Sequence, residues 1–228
     1  MAAVAQVIIK SKRKVPMSDF SRRSAILAVG GGVFVASIFG RDALAQFADV
    51  SKEMILNDPA APVSGNPKGD LTIVAFLDYN CPYCKQTAPD LDRVVKEDGK
   101  IRLVYKDWPV IRPTSIDGAM MALAAKYQGK YDVAHHALMG IPGAGVAKEK
   151  MREGLRAAGI DMRRLDEDMK TKSVEIDAII KRNMAQADAI GLNGTPAFLV
   201  GPFRTSTLDY KGFKQVIADA RAKQAGTR

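Results

Sequence analysis

The sequence predicts an α/β fold in which one sheet is interrupted by an inserted block of helices. Three observations predict it. Two apolar, β-rich segments, "LTIVAFL" (residues 71–77) and "IRLVYKDWPV" (residues 101–110), flank a helical pattern. From residue 115 to residue 190 strand chemistry nearly vanishes. It returns at "AFLV" (residues 197–200), which is followed by a closing amphipathic helix. The order β-α-β, helical block, β-β-α makes residues near Cys81 and residues near Pro196 neighbours in one sheet.

Each element follows from its local pattern. Residues 46–57 have apolar spacing at Phe47, Val50, Met54 and Ile55, which predicts a short helix. "NDPAAPVSGNPKGD" (residues 57–70) is a Pro/Gly-rich connector. "LTIVAFL" shows no alternation, as expected of a strand buried on both faces. A helix is expected from Lys85 to about Glu97, with Leu91, Val94 and Val95 inward and Gly99 at its end. The second strand stops at Pro109. The block 114–190 holds five helical patterns, several of them closed by glycines such as Gly129 and Gly159. "GLNGTPAFLVG" is a turn and a strand, "PFRTST" pairs back as a hairpin, and the last helix turns Phe213, Val216 and Ile217 inward. The organisation expected is therefore 1–45, 46–70, 71–113, 114–190 and 191–228.

The first of these segments reads as an address. Residues 1–45 carry seven Lys or Arg and two Asp, which is most of the chain's net charge of +9. A basic stretch ending in Arg22 and Arg23 precedes an apolar, glycine-interrupted run (residues 25–40) and the small residues Ala43 and Ala45. This is the pattern of an export signal cleaved after Ala45. The paired arginines fit twin-arginine export, although Ala25-Ile26 stands where that motif usually has Phe-Leu, so Sec export stays open. The apolar run is short of the ~20 residues of a spanning helix; an uncleaved anchor is the alternative. Beyond residue 45 both charge signs mix along helices and form no basic stripe, which argues against nucleic acid as a partner. Export would place the chain in the periplasm or outside the cell, where disulfides persist.

The only two cysteines, Cys81 and Cys84, stand at the junction of the first strand and its helix. A structural zinc site needs four ligands, and His135 and His136 lie in the separate helical block. No metal site is expected. A purely structural disulfide would close a tiny loop and stabilise little. A redox couple explains the spacing. At a helix N-terminus, unpaired N–H groups and the helix dipole stabilise a thiolate at Cys81. Cys84, one turn in, is more shielded and serves as resolving thiol. Pro82 suits the first helical turn, and Tyr83, exposed, shapes access to the sulfur. "GTPAF" then supplies a tight turn before a strand. A cis Thr195–Pro196 bond would turn the backbone edge of Thr195 toward the sulfurs, ready to pair with an extended substrate; a trans proline entering a strand is the alternative.

Strand, "CPYC", helix, strand, helical insertion and "GTPAF" together resemble the thioredoxin fold of the DsbA-like thiol–disulfide oxidoreductases. "FLDYNCPYC", "KDWPV", "GTPAFLVG" and "ADARAK" are most similar to its secreted branch of Com1-type and ScsC-type proteins. The resemblance covers nearly all of the chain after the signal. It implies that Thr195 and Pro196 form a cis-proline loop facing Cys81, and that the helical block caps the site and helps form a groove for unfolded substrates. Members usually carry an acid six residues before the first cysteine, where this chain has Ala75. Asp78, Lys106 or water are the expected substitutes in proton transfer to Cys84.

The function expected is an exported protein thiol–disulfide oxidoreductase, foremost an oxidase that introduces disulfides through Cys81–Cys84. That redox-active pair is its only cofactor. Its partners would be unfolded or partly folded secreted proteins with cysteines and a membrane redox protein that reoxidises it. The short region 46–70 favours a monomer. The alternatives are an isomerase or reductase of the same fold, a periplasmic protein binding Cu(I) between the two thiolates, and a glutaredoxin, which export disfavours. His135 and His136, adjacent on a helix, read as core or surface residues rather than ligands, and Trp108 as packing.

Overall fold

The computed structural model describes residues 49–226. The export signal and the cleavage after Ala45 lie outside the described residues. Ser51 caps a short helix α1 (Lys52–Asn57), its side chain accepting from the Met54 N–H. The connector that follows contains a strand the sequence pattern does not announce, β1 (Val63–Gly65). Then come β2 (Leu71–Leu77), α2 (Pro82–Asp98) and β3 (Ile101–Asp107). The helical block is α3 (Pro113–Ala125), a 3-10 turn (Lys126–Gln128), α4 (Tyr131–Met139), α5 (Lys148–Ala157), α6 (Met162–Thr171) and α7 (Ser173–Ala189). β4 (Ala197–Val200), β5 (Phe203–Thr205) and α8 (Tyr210–Ala225) complete the chain.

The sheet order is β1-β3-β2-β4-β5. β2 and β3 run parallel, in register from Leu71 opposite Ile101 to Leu77 opposite Asp107. β4 is antiparallel to β2, with Ala75 opposite Phe198. The central strand is therefore covered on both edges and both faces, as its unbroken apolar run requires. Side chains alternate between faces along each strand. Ile73, Ala75, Leu77, Leu103 and Tyr105 point to a large core shared with α2, α8 and the helical block, and both cysteines belong to it. Val74, Phe76, Val104 and Trp108 point the other way, to a smaller core with Ile55 of α1 and Ala187 of α7.

This alternation removes one expected proton donor. Lys106 pairs in register with Phe76, on the face away from Ala75 and the cysteines. Its Nζ is fully buried against Asp58 Oδ2 (3.3 Å), and Arg182 donates to the same carboxylate at 2.8 Å and 3.1 Å. The lysine anchors the N-terminal segment to the sheet and cannot serve Cys84.

Candidate active site

β2 ends at Leu77, and the chain crosses to α2 through Asp78, Tyr79 and Asn80, all buried. The helix begins earlier than its apolar spacing suggests. Cys81 is its N-cap and Pro82 its first residue, a position where proline's missing N–H costs nothing. Pro89 inside the helix leaves the Lys85 carbonyl without its usual donor. That gap, and the polar "YCKQ" run before it, hide the first two turns from a periodicity reading.

Both cysteines are free thiols. The Cys84 N–H donates to Cys81 Sγ at 3.4 Å, and the Cys81 thiol faces the Thr195 carbonyl at 3.2 Å. The Thr195–Pro196 bond is cis. Cys81 and the Thr195–Pro196 turn, 114 residues apart in sequence, thus meet at one point. A hydrogen bond from the Cys84 thiol, joined by the backbone N–H groups of Cys84 and Tyr83, lowers the Cys81 pKa to about 6. The Thr195 side chain adds to this, although its Oγ1 makes no hydrogen bond of good geometry; we read its effect as that of a nearby hydroxyl dipole. Burial, then the bond to Cys81, push the Cys84 thiol well above its ordinary range. One sulfur is thus prepared as an anion and the other kept as its proton donor.

Tyr83 is exposed, as expected for a side chain at the mouth of the site. Cys81 itself, by contrast, is covered. It is 2 % accessible, yet far less protein surrounds it than surrounds Cys84. It therefore lies under a thin cover, with the Thr195 carbonyl against it.

Three polar side chains frame the pair. Asp78 accepts from the backbone N–H groups of Asn80 (2.7 Å), Val110 (2.8 Å) and Ile111 (2.9 Å), which commits its carboxylate to holding two loops together. Asn80 accepts from the Val146 N–H at 2.7 Å and donates to Thr114 Oγ1 at 2.9 Å. Lys85 donates to the carbonyls of Ile141 (2.6 Å) and Gly143 (2.8 Å). Burial lowers its pKa, while Asp78, Cys81 and Cys84 pull it back up, so its ammonium lies within electrostatic reach of both sulfurs. Asn80 and Lys85 escape sequence reasoning; only their positions beside "CPYC" mark them.

The other candidates take structural places. His135 is buried among Tyr79, Tyr105 and Tyr131, and burial lowers its pKa to about 3, so it is a neutral core residue. His136 pairs with Asp92 at 2.9 Å. Trp108 stands edge-on to Phe76. Among the described residues no three Cys, His, Asp or Glu side chains form a metal cluster, and no helix is long and apolar enough to cross a membrane.

Comparison with known proteins gives this geometry its setting. The model of the family Thioredoxin matches residues 57–219. A thioredoxin-like oxidoreductase from Silicibacter pomeroyi is 38% identical, with a TM-score of 0.70 over 75% of this chain and 98% of that one. The thiol–disulfide exchange protein alpha-DsbA2 from Wolbachia pipientis is 25% identical, with a TM-score of 0.69 over 78% of this chain and 97% of that one. The DsbA-like resemblance carried by "CPYC" and "GTPAF" is what these structures bear out. A Na(+)/H(+) antiporter NhaA 1 from Mycolicibacterium gilvum is 29% identical over 64% of this chain. The chain spans about a quarter of the length of that and the other curated relatives first matched, 25% to 26%.

Proposed function

This chain belongs to the thioredoxin family, and on that premise we propose that it is an exported protein thiol–disulfide oxidoreductase working as an oxidase. Cys81 is the exchanging sulfur, Cys84 its partner, and Thr195 with Pro196 the edge against which the substrate lies. In the oxidised enzyme a substrate thiolate attacks Cys81 Sγ. The Cys81–Cys84 bond breaks, Cys84 leaves with the electron pair and takes up a proton, and a mixed disulfide forms. The substrate's second thiolate then attacks its own sulfur in that mixed disulfide and expels Cys81. Two substrate thiols have become a disulfide; the enzyme has gained two electrons and, at Cys84, one proton, while the second proton goes to solvent because Cys81 leaves as a thiolate. A membrane redox partner in the same compartment would take these electrons away.

The pKa asymmetry between the two sulfurs carries this direction. A thiol of low pKa leaves readily, so Cys81 near 6 favours release of the oxidised product. Cys84, raised well above its ordinary range, is rarely a thiolate and so seldom recaptures the mixed disulfide, the step a reductase needs. At pH 7 the ionised Cys81 favours the reduced enzyme by about 1.4 kcal/mol, or about 30 mV toward oxidising, over an ordinary thiol.

The test is the equilibrium reduction potential of Cys81–Cys84 against glutathione. An oxidase should lie well above thioredoxin's value of about −270 mV, near or above −200 mV. A value at or below −270 mV would reverse the reading in favour of a reductase.

A further inference from the structure

The turn that faces Cys81 carries a reactive group the exchange chemistry leaves unused. Just before Thr195 stands Asn193-Gly194, the one asparagine in the sequence that is followed by glycine. Asparagine is a thermolabile residue. It loses its side-chain amide without an enzyme when the backbone nitrogen of the next residue reaches its Cγ. That needs a next residue with an N–H, room for the chain to close a five-membered ring, and an amide free of other bonds.

The chain's asparagines meet these demands unequally. Asn66 precedes Pro67, which has no N–H. Asn80 is buried, accepting from Val146 and donating to Thr114. Asn183 is buried within α7 and donates to the Asp107 carbonyl at 3.1 Å. Asn57 closes α1, gives its amide to Glu53 Oε1 at 2.9 Å and precedes the buried Asp58. Asn193 differs on every count. It and Gly194 are exposed and lie in no helix or strand. Neither the Asn193 amide nor the Gly194 N–H makes a hydrogen bond among the described residues. Nothing stands within 4 Å of where a Cβ on Gly194 would lie, so the backbone has room to turn there. Glycine reaches the angles of ring closure at little steric cost.

We propose that Asn193 is a site of spontaneous deamidation, which turns the neutral edge beside Cys81 into an anionic one and makes Cys81 less reactive as the protein ages. The Gly194 nitrogen attacks Asn193 Cγ. An N–Cγ bond forms, the Cγ–Nδ2 bond breaks, and ammonia leaves with the proton that Gly194 gave up. Solvent water then opens the ring. Cutting the new N–Cγ bond leaves aspartate; cutting the original peptide bond leaves isoaspartate, whose main chain is longer by one carbon. No electrons change hands. The Thr195 carbonyl faces Cys81 Sγ at 3.2 Å. Two residues span at most about 7 Å, so the new carboxylate stands on the order of 10 Å from the sulfur. An anion there disfavours the Cys81 thiolate.

The experiment ages the folded, reduced protein in mildly alkaline buffer and follows each asparagine by peptide mass mapping, with an isoaspartate methyltransferase labelling the isomerised product. Asn193 should convert first, with aspartate and isoaspartate appearing together. G194A fits the open space but restricts the backbone, and should slow conversion by about two- to fivefold. In a second arm Cys81 is alkylated at low ionic strength, below its pKa of about 6. A carboxylate about 10 Å away through water should slow alkylation about twofold, in N193D and in aged wild type alike. N193Q, whose longer side chain closes the ring poorly, should keep its starting rate on ageing. Conversion of another asparagine before Asn193, or equal conversion in G194A and wild type, would overturn the proposal. So would equal alkylation rates in N193D and fresh wild type, or a loss on ageing that N193Q shares. Neither arm measures disulfide exchange, so failure here and failure of the oxidoreductase reading are separate results.

Discussion

At Cys81 the largest influence on the sulfur is the hydrogen bond from its partner thiol, ahead of the backbone N–H groups at the start of α2. The helix terminus prepares an anion site and Cys84 completes it. Removing that donor should therefore raise the Cys81 pKa from about 6, while the N–H groups of Tyr83 and Cys84 keep it below the ordinary 9.0. One hydrogen bond of about 1.4 kcal/mol corresponds to about one pKa unit. In C84A the pH midpoint of Cys81 alkylation should rise by about that much. In C84S, whose hydroxyl still donates, it should rise less. An identical midpoint in wild type and C84A would show that the helix terminus alone sets the acidity.

The elements around the pair are held in register by side chains that no periodicity reveals. Asn80 binds the Val146 N–H and the start of α3, and Lys85 binds the carbonyls of Ile141 and Gly143. The loop between α4 and α5 is thus fastened on both sides of the CxxC turn. Asn80 is fully buried and Val146 nearly so, so an N80A variant leaves a buried N–H without an acceptor. Such a loss costs about 1–3 kcal/mol. We expect urea unfolding of N80A to show a stability drop of this size, with faster hydrogen exchange at the Val146 amide. Unchanged protection there would mean that the loop is held by packing alone. Much of the element order is legible in the sequence because β2, β3, β4 and the helical block each repeat one pattern over enough residues. β1 is missed because three residues within a Pro/Gly-rich connector show no period, yet its pairing of Val63 with Val104 protects the β3 edge. The site is legible where chemistry is local, in Cys81 as helix cap, and partly where it is not. The Thr195–Pro196 turn can be suspected from "GTP" alone, whereas the Asn80 and Lys85 contacts join residues 34 to 66 positions apart that carry no shared motif.

For the molecule as a whole, several buried groups make stability depend on pH, and comparing two redox states separates the one that matters. Burial raises the Asp107 pKa to about 7, under the hydroxyl of Tyr131, and lowers that of His135 to about 3. Both titrate whether the cysteines are reduced or oxidised, so they cancel in the difference. Cys81 ionises only in the reduced protein. Its folded pKa of about 6 lies below the ordinary 9.0. A depressed acid stabilises the folded state fully above its unfolded pKa, and loses that contribution as pH falls through the folded value. Cys84, raised well above its ordinary range, stays protonated and opposes this only as the unfolded thiol begins to ionise near 9.0. The stability of the reduced protein relative to the oxidised one should therefore rise by about 3 kcal/mol from pH 5.5 to pH 8.5, about half of it above pH 7. Urea unfolding of both forms across this range measures it. A flat difference would mean that Cys81 stays a thiol throughout, and the proposed oxidase direction would lose its support with it.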